Sequence, residues 1–452
     1  MCNRSRSRLA IGMAVLTNVE DLAGCALVGE KIAPPLGHEV HYLPMWSGFV
    51  KGKGGFLYGI PAKNRRVIKF NPVDKSTELI GPEFVKIVDW HCGVLAKNGC
   101  IYCPPRSANT MIMLKINTID NTVETIDLQL QRQITFHEGW GSGAVGRDGC
   151  IYYFPYFVDC RYILRVDPDT DKFSFISLPN LHHAGFVGTV LGKDGCIYGL
   201  PTYSTDCVVR FDPMEHENIS YFGKYIGSVC ELATDGVLGC DGNIYALNDN
   251  ADVLKVDTSA RTVSFIRNED TSMFCGGNPV VGPDQCIYWL KGNGATVVFD
   301  PITQQPSSST ELDIYVNTST SWSDGALADD GVIYFAPSHA RQVLAFDPFR
   351  KFSRYIELFM ELFPKHLGRI FMRYSEESLF DEAVRRFGFD KALGLLDECL
   401  PSDGEWGEMT LDGVPIFVLA ASRGVGNDGI GGAPLDVIYR LVRRDVHGLF
   451  SD

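Results

Sequence analysis

No stretch of the sequence stays apolar for the roughly 18 residues that a membrane-crossing helix requires. Runs of lysine and arginine are also missing, and 55 acidic residues outweigh 41 basic ones for a net charge of −14. Such a surface repels phosphate backbones at long range, which argues against nucleic acid as a partner and, with the missing span, against a membrane. The sequence contains one Cys-x-x-Cys spacing, Cys100 to Cys103, with no second pair to complete a zinc knuckle, and it has no Gly-x-Ser-x-Gly elbow, no His-Glu-x-x-His helix and no dinucleotide fingerprint placed between a strand and a helix. Zinc knuckles, serine-hydrolase chemistry and nicotinamide or flavin binding through those motifs are therefore not expected. The glycine-rich stretch VGNDGIGG lacks the Lys-Ser/Thr of a phosphate loop and reads as a connector.

What the chain has in quantity is turn chemistry and self-similarity. It holds 46 glycines and 23 prolines, and its aromatic content is 11%. The segments GFVKGKGGFLYGIP, GVLAKNGCIYCPP, GAVGRDGCIYYFP, GTVLGKDGCIYGLP, GVLGCDGNIYAL, VVGPDQCIYWL and GALADDGVIYFAP align on Tyr58, Tyr102, Tyr152, Tyr198, Tyr245, Tyr288 and Tyr334. Their spacing of 43 to 50 residues matches a four-stranded propeller blade. Each unit opens with a Gly-apolar strand, expected to be innermost. A two-residue turn follows, such as Asn98-Gly99, Asp148-Gly149 or Asp194-Gly195, with positive φ expected. The unit with Asp284-Gln285 should turn differently. The second strand is the Ile-Tyr run, and a third ends at Asn71, Asn117, Asp167, Asp212, Asp257, Asp300 or Asp347, whose side chains cap a turn often completed by proline. An alternating outer strand completes the unit.

Closing such units into a ring removes most exposed sheet edges. The fold expected is mainly β, a seven-bladed propeller of four-stranded antiparallel blades over residues 38–356, with the repeats running from about Phe49 to Ile356. A strand from the other terminus should close the ring. HEVHYLP, His38 to Pro44, could add outside the last blade or replace FSRYIEL there. Residues 1–37 read as an N-terminal extension, frayed or a short amphipathic helix, with organellar import as the alternative for MCNRSRSRLAIGMAVL. Residues 357–452 show helical spacing. Residues 412–445 resemble one degenerate ankyrin hairpin, with Pro415 at the start of the first helix. Cys100, Cys150, Cys196 and Cys286 share one slot before the Ile-Tyr pair, a blade apart. They read as small buried hydrophobes rather than bridges, in a cytoplasmic, reducing setting.

GRDGCIYYFP…ILRVDPDTDKF and GKDGCIYGLP…VVRFDP carry a likeness over about two-thirds of the chain. The pattern resembles the propellers related to streptogramin B lyase, with NHL-type and gluconolactonase-type propellers as cousins. There is no Trp-Asp repeat signature. The segments before each first strand hold the candidate functional residues. Trp90, His91, Trp140, Trp322 and Asp324 form a candidate ligand or partner face, with recurrent packing as the alternative for the tryptophans. Imidazoles and carboxylates here could also hold a divalent ion, with Asp89, Glu138 and Glu231 as candidate ligands, or could serve as polar rim anchors. Streptogramin lyases place a histidine pair and a magnesium-binding carboxylate in this region. The resemblance therefore implies His137, Glu138, His182 and His183 as catalytic candidates.

Two functional expectations follow. One is a non-catalytic binding or scaffold propeller, monomeric and without cofactor, docking a protein or small ligand on the loop face around its channel. The other is a lyase or lactonase-type enzyme using Mg2+ or Ca2+ at the channel mouth.

Overall fold

A computed structural model describes residues 25–32, 45–62, 64–84, 90–106, 111–128, 139–156, 160–179, 185–202, 205, 207–216, 218–223, 232, 234–268, 277–282, 285–290, 296–308, 321–348, 410–411 and 414–415. Among the described residues the protein is mainly β, with no helix, and none that could cross a membrane. The chain divides into two units. One comprises residues 25–347, and the other joins residues 1–24 to 348–452.

The first unit consists of four-stranded antiparallel sheets whose strands follow one another in chain order, as in a β-propeller. The Tyr152 repeat is representative. Trp140–Val145, Ile151–Pro155, Tyr162–Asp167 and Lys172–Ser177 pair in that order. The second strand is buried throughout, whereas the fourth alternates between exposed and half-buried residues, as an outer strand with one solvated face should. First strands of consecutive repeats adjoin one another, which makes them the inner wall.

The Tyr58 and Tyr334 repeats share one eight-stranded sheet because their first strands meet in parallel, Gly48 opposite Asp324. The outer place in the Tyr334 repeat is taken by Cys25–Val28, antiparallel to Val343–Phe346 with Ala26 opposite Ala345. The closing strand thus lies in the segment expected to be an extension. It is four residues long, too short for its alternation to be read from sequence. Residues 38–44 and 352–358, expected to supply it, fall outside the described residues.

The turns correct the sequence reading in detail. Gly146 N–H donates to Cys150 O at 2.8 Å and Gly149 N–H to Gly146 O at 2.9 Å, so the hairpin loop has three residues and ends in a bulge. Only the glycine takes positive φ, 82° at Gly149. The aspartate contributes through its side chain instead. Asp148 accepts the Cys150 N–H at 3.1 Å and the Tyr152 hydroxyl at 2.7 Å. Asp194, Asp241 and Asp330 hold Tyr198, Tyr245 and Tyr334 in the same way. The Asp284-Gln285 repeat was expected to differ, yet Gln285 adopts φ 60° and its N–H donates to Gly282 O at 3.0 Å, so the backbone turn is retained. The caps on the later turn are present as expected, with Asn71, Asn117, Asp167, Asp212, Asp257 and Asp300 each accepting the N–H two residues on.

The shared tyrosine also joins neighbours. Its hydroxyl reaches a turn carbonyl of the next repeat, from Tyr58 to Thr118 (3.2 Å), Tyr102 to Pro168 (3.3 Å), Tyr152 to Pro213 (3.4 Å) and Tyr198 to Thr258 (3.5 Å). Tyr334 instead meets Lys75 of the Tyr58 repeat, which also pairs with Asp330. The core follows the same seams. Separate apolar clusters fill the space between consecutive repeats, for example Tyr102, Met113 and Leu128 with Trp140, Tyr153 and Leu164. The repeated cysteines are buried, and no disulfide occurs among the described residues.

In the second unit Thr410–Leu411 and Val414–Pro415 pair as a two-stranded hairpin. Pro415 therefore belongs to a strand rather than the start of an ankyrin-like helix. Asp412-Gly413 lies between the two strands, a sequence that favours a tight hairpin turn over helix initiation. The remaining positions read as helical lie outside the described residues.

Candidate functional site

The inner wall is built from one column of the repeat. Ten residues before each shared tyrosine stand Gly48, Cys92, Ser142, Gly188, Asp235, Asn278 and Asp324. The first strands on either side of these positions are tied by side chain-to-backbone hydrogen bonds, in two contrasting chemistries.

Over one arc the side chain donates. Ser323 Oγ donates to Trp46 O at 2.9 Å, Ser47 Oγ to Trp90 O at 3.1 Å, Cys92 Sγ to Gly141 O at 2.8 Å, and Ser142 Oγ to Val187 O at 3.5 Å. Over the other arc the side chain accepts. Thr189 N–H donates to Asp235 Oδ1 at 3.0 Å, Asp235 N–H to Asn278 Oδ1 at 2.8 Å, and Asn278 N–H to Asp324 Oδ1 at 2.8 Å. Asn278 Nδ2 also donates to Asp324 Oδ2 at 2.7 Å, and Gly236 N–H to Asp235 Oδ1 at 2.7 Å. Together the links pass through every tyrosine repeat and return to the first.

Glycine at two places in the column makes room for the carboxylates. A Cβ on Gly188 would lie 2.6 Å from Asp235 Oδ1, and one on Gly48 would lie 2.6 Å from Asp324 Cβ. Asp235, Asn278, Asp324, Cys92 and His91 keep partial exposure, so the column faces a solvated space.

The charges are costly to hold there. Burial raises Asp235 to about 7, against the hydrogen bonds from Gly236, Ser142 and Thr189, and the Asp324 charge pushes it the same way. Asp324 rises to about 6, again from burial, opposed by Asn278 and by the Arg106 guanidinium. These two residues come from non-adjacent repeats, and Cys92, from another, is raised by burial, by Cys103 and by both carboxylates. The three therefore face one shared space. Cys92 stays a protonated thiol, as its bond to Gly141 O requires. His91 is lowered to about 3 by burial and then by Arg106, so it is a neutral imidazole throughout the physiological range. Arg106 itself lies 4.5 Å above the Tyr156 ring.

Of the residues singled out from sequence, Asp324 and His91 lie on this wall. Trp90, Trp140 and Trp322 do not form an aromatic floor. They are 1%, 0% and 5% exposed, and their indole N–H groups donate to Ile112 O, Tyr162 O and Gln342 O at 2.8–3.0 Å. Trp46 repeats the arrangement with Arg66 O at 3.0 Å. Each ring is a wedge tying the start of its first strand to its third strand, the packing alternative raised above. Asp89, His137, Glu138, His182, His183 and Glu231 lie outside the described residues. No group of three or more histidine, cysteine, aspartate or glutamate side chains among the described residues could hold a metal ion.

Sequence reasoning missed Asp235, Asn278, Cys92 and Ser142. Reading the aligned repeats down one column, rather than scanning loops for histidine and tryptophan, would have found them.

No protein-family model matches the sequence, and no curated protein matches it. Solved structures do share the fold. A catalytically inactive virginiamycin B lyase from Staphylococcus aureus with quinupristin is similar at a TM-score of 0.55 and 13% identity, over 71% of this chain and 98% of that one. A streptogramin B lyase gives 0.53 and 12%, over 71% and 97%. Hydrazine synthase from Kuenenia stuttgartiensis gives 0.53 and 13%, over 70% and 99%. At these identities the likeness is one of fold, and it supports the β-propeller fold expected from the sequence.

Proposed function

We propose that residues 25–347 form a closed ring of seven blades acting as a binding module, which takes a protein or small ligand at the loop face around its channel without transforming it. One observation carries this reading. The polar side chains of the inner wall are spent on backbone groups of neighbouring strands, from Ser323 round to Asp324. A catalytic centre needs polar atoms aimed at substrate. Here Asn278 occupies both Asp324 oxygens, and Cys92 is held as a thiol that donates. Such a wall favours a rigid scaffold that displays its variable loops.

The alternative is a divalent-metal lyase or lactonase-type enzyme. It is favoured by the fold likeness, which extends over 97–98% of the two lyase chains. If a metal such as Mg2+ or Ca2+ is used, its ligands come from Asp89, Glu138, Glu231 and the nearby histidines.

The test offers quinupristin to the full chain with Mg2+, Ca2+ or Mn2+ and follows the intact antibiotic by mass spectrometry. The binding reading expects no loss of quinupristin. It also expects no metal-dependent rise in the unfolding midpoint, and no change in that midpoint in the apo His137→Ala and His182→Ala variants. Metal-dependent consumption that those variants abolish would replace it with the enzymatic reading.

A further inference from the structure

The residue two positions after each third-strand cap is held at the tip of its turn. Val73, Ile119, Met214 and Ile302 fill that slot, each with its N–H taken by Asn71, Asn117, Asp212 or Asp300 at 2.9–3.0 Å. They are 56–90% exposed. Among the described residues only two other large apolar side chains, Leu27 and Leu79, are exposed. Apolar residues scattered singly over a surface are ordinary, but four recurring in one slot gather at one end of the repeats. The hairpin turns between first and second strands lie at that same end. Thr118 donates to Gly99 O through its N–H at 3.0 Å and its hydroxyl at 2.7 Å, and Lys53 N–H donates to Thr118 Oγ1 at 3.0 Å. In an antiparallel meander this turn face is the end opposite the loops.

We propose that the turn face is the contact surface of a homodimer, in which a second copy of the chain packs turn face to turn face about a two-fold axis through the Tyr198 repeat.

The charges on the face select a second copy as the occupant. The turns of the Tyr58 and Tyr102 repeats carry Lys53, Lys75 and Lys97, which outnumber Asp74 and Asp120. Those of the Tyr288 and Tyr334 repeats carry Asp300, Asp329 and Asp330 and, among the described residues, no cation. The face thus has a basic side and an acidic side, with apolar tips on both, and is complementary to itself.

A two-fold axis lying in the face reverses the order of the repeats, so that each contact occurs twice. The pairing rests on the ring of seven blades proposed above. In such a ring an axis through the Tyr198 repeat sets Tyr58 on Tyr334, Tyr102 on Tyr288 and Tyr152 on Tyr245. Basic turns then meet acidic turns on both sides of the axis. Ile119 meets Ile302 of the partner subunit, and Met214 meets its own mate. The Tyr198 repeat, facing itself, offers both signs through Lys193 and Glu215. Lys51 and Lys75 already pair with Asp329 and Asp330 across the junction of the first and last repeats. A second copy turned over brings the same row of pairs with the signs exchanged, which fixes the register. The loop face remains open, so the ligand-binding reading can fail without affecting the dimer.

The test is sedimentation equilibrium of the full chain at micromolar concentration. The wild type should show twice the monomer mass. Met214→Asp sets two carboxylates together at the axis and should weaken association by roughly a hundredfold or more. Ile302→Asp and Ile119→Lys should each weaken it alone. Mixing those two variants should restore a dimer, because the new carboxylate and the new ammonium then face each other. All three sites are exposed, so the unfolding midpoints of the isolated variants check that the fold is kept. A blade count from electron micrographs of the same sample tests the ring separately from the pairing. A monomeric wild type would overturn the proposal and leave the tips to a different occupant. A dimer indifferent to all three substitutions would overturn it too, as would a mixture of the Ile302→Asp and Ile119→Lys variants that stays monomeric.

Discussion

The donor and acceptor arcs perform the same mechanical task with opposite chemistry, and they differ in what supports them. Behind the donor arc stand Trp46, Trp90 and Trp140, with Trp322 on the strand where the arcs meet and which carries both Ser323 and Asp324, all buried wedges that lock first strands to third strands. The aligned positions of the Tyr245 and Tyr288 repeats hold Ala233 and Gly276. One arc is thus anchored by apolar mass and neutral donors, the other by carboxylates and an amide. A repeat can preserve its backbone while exchanging the chemistry that holds it. The Gln285 turn teaches the same lesson on a smaller scale.

The largest expected effect breaks the anchored side. Trp140→Ala should cost about 3–5 kcal/mol in urea unfolding, because it empties a fully buried site and orphans the Tyr162 carbonyl. A loss under about 1 kcal/mol would mean that the wedges are dispensable and the two arcs less different than described. Next comes the acceptor arc. Gly188→Ala should cost about 1–3 kcal/mol, since the new methyl meets Asp235 Oδ1 at 2.6 Å. The same substitution should lower protection of the Thr189 N–H in hydrogen exchange. The smallest effect sharpens the contrast. Ser47→Ala removes one hydroxyl link from the donor arc and should cost about 1 kcal/mol, equally at pH 5.5 and pH 8.5. A pH-dependent cost there would show that the arcs are not electrostatically separate.

Much of this architecture was legible in the sequence because it is repeated. The tyrosine spacing, the glycine of the hairpin and the Asn/Asp caps recur, and the structure returns each in its expected place. What misled was chemistry with two explanations. Asp-Gly suggested a two-residue turn, but the aspartate is needed to hold a tyrosine four residues on. Tryptophans beside a loop face suggested a binding floor, but their N–H groups find backbone partners inside the repeat. The closing strand was misplaced because Cys25–Val28 is short and lacks a turn signature. On the candidate site, Asp324 and His91 were found because they are chemically conspicuous. Asp235 and Asn278 were missed because their role depends on standing in register with glycine, serine and cysteine of the other repeats, a relation between repeats rather than a local motif.

The contrast between the arcs is tested most directly by unfolding free energy against pH for the wild type and the Asp235→Asn/Asp324→Asn variant. Both carboxylates are raised in the folded protein, so the native state keeps protons that the unfolded chain has released. Their contribution is fully present below about pH 4 and is lost as pH climbs to about 7. Relative to the variant, the wild type should therefore lose on the order of 1–3 kcal/mol between pH 5 and pH 8. Parallel curves for the two proteins across that range would contradict the account.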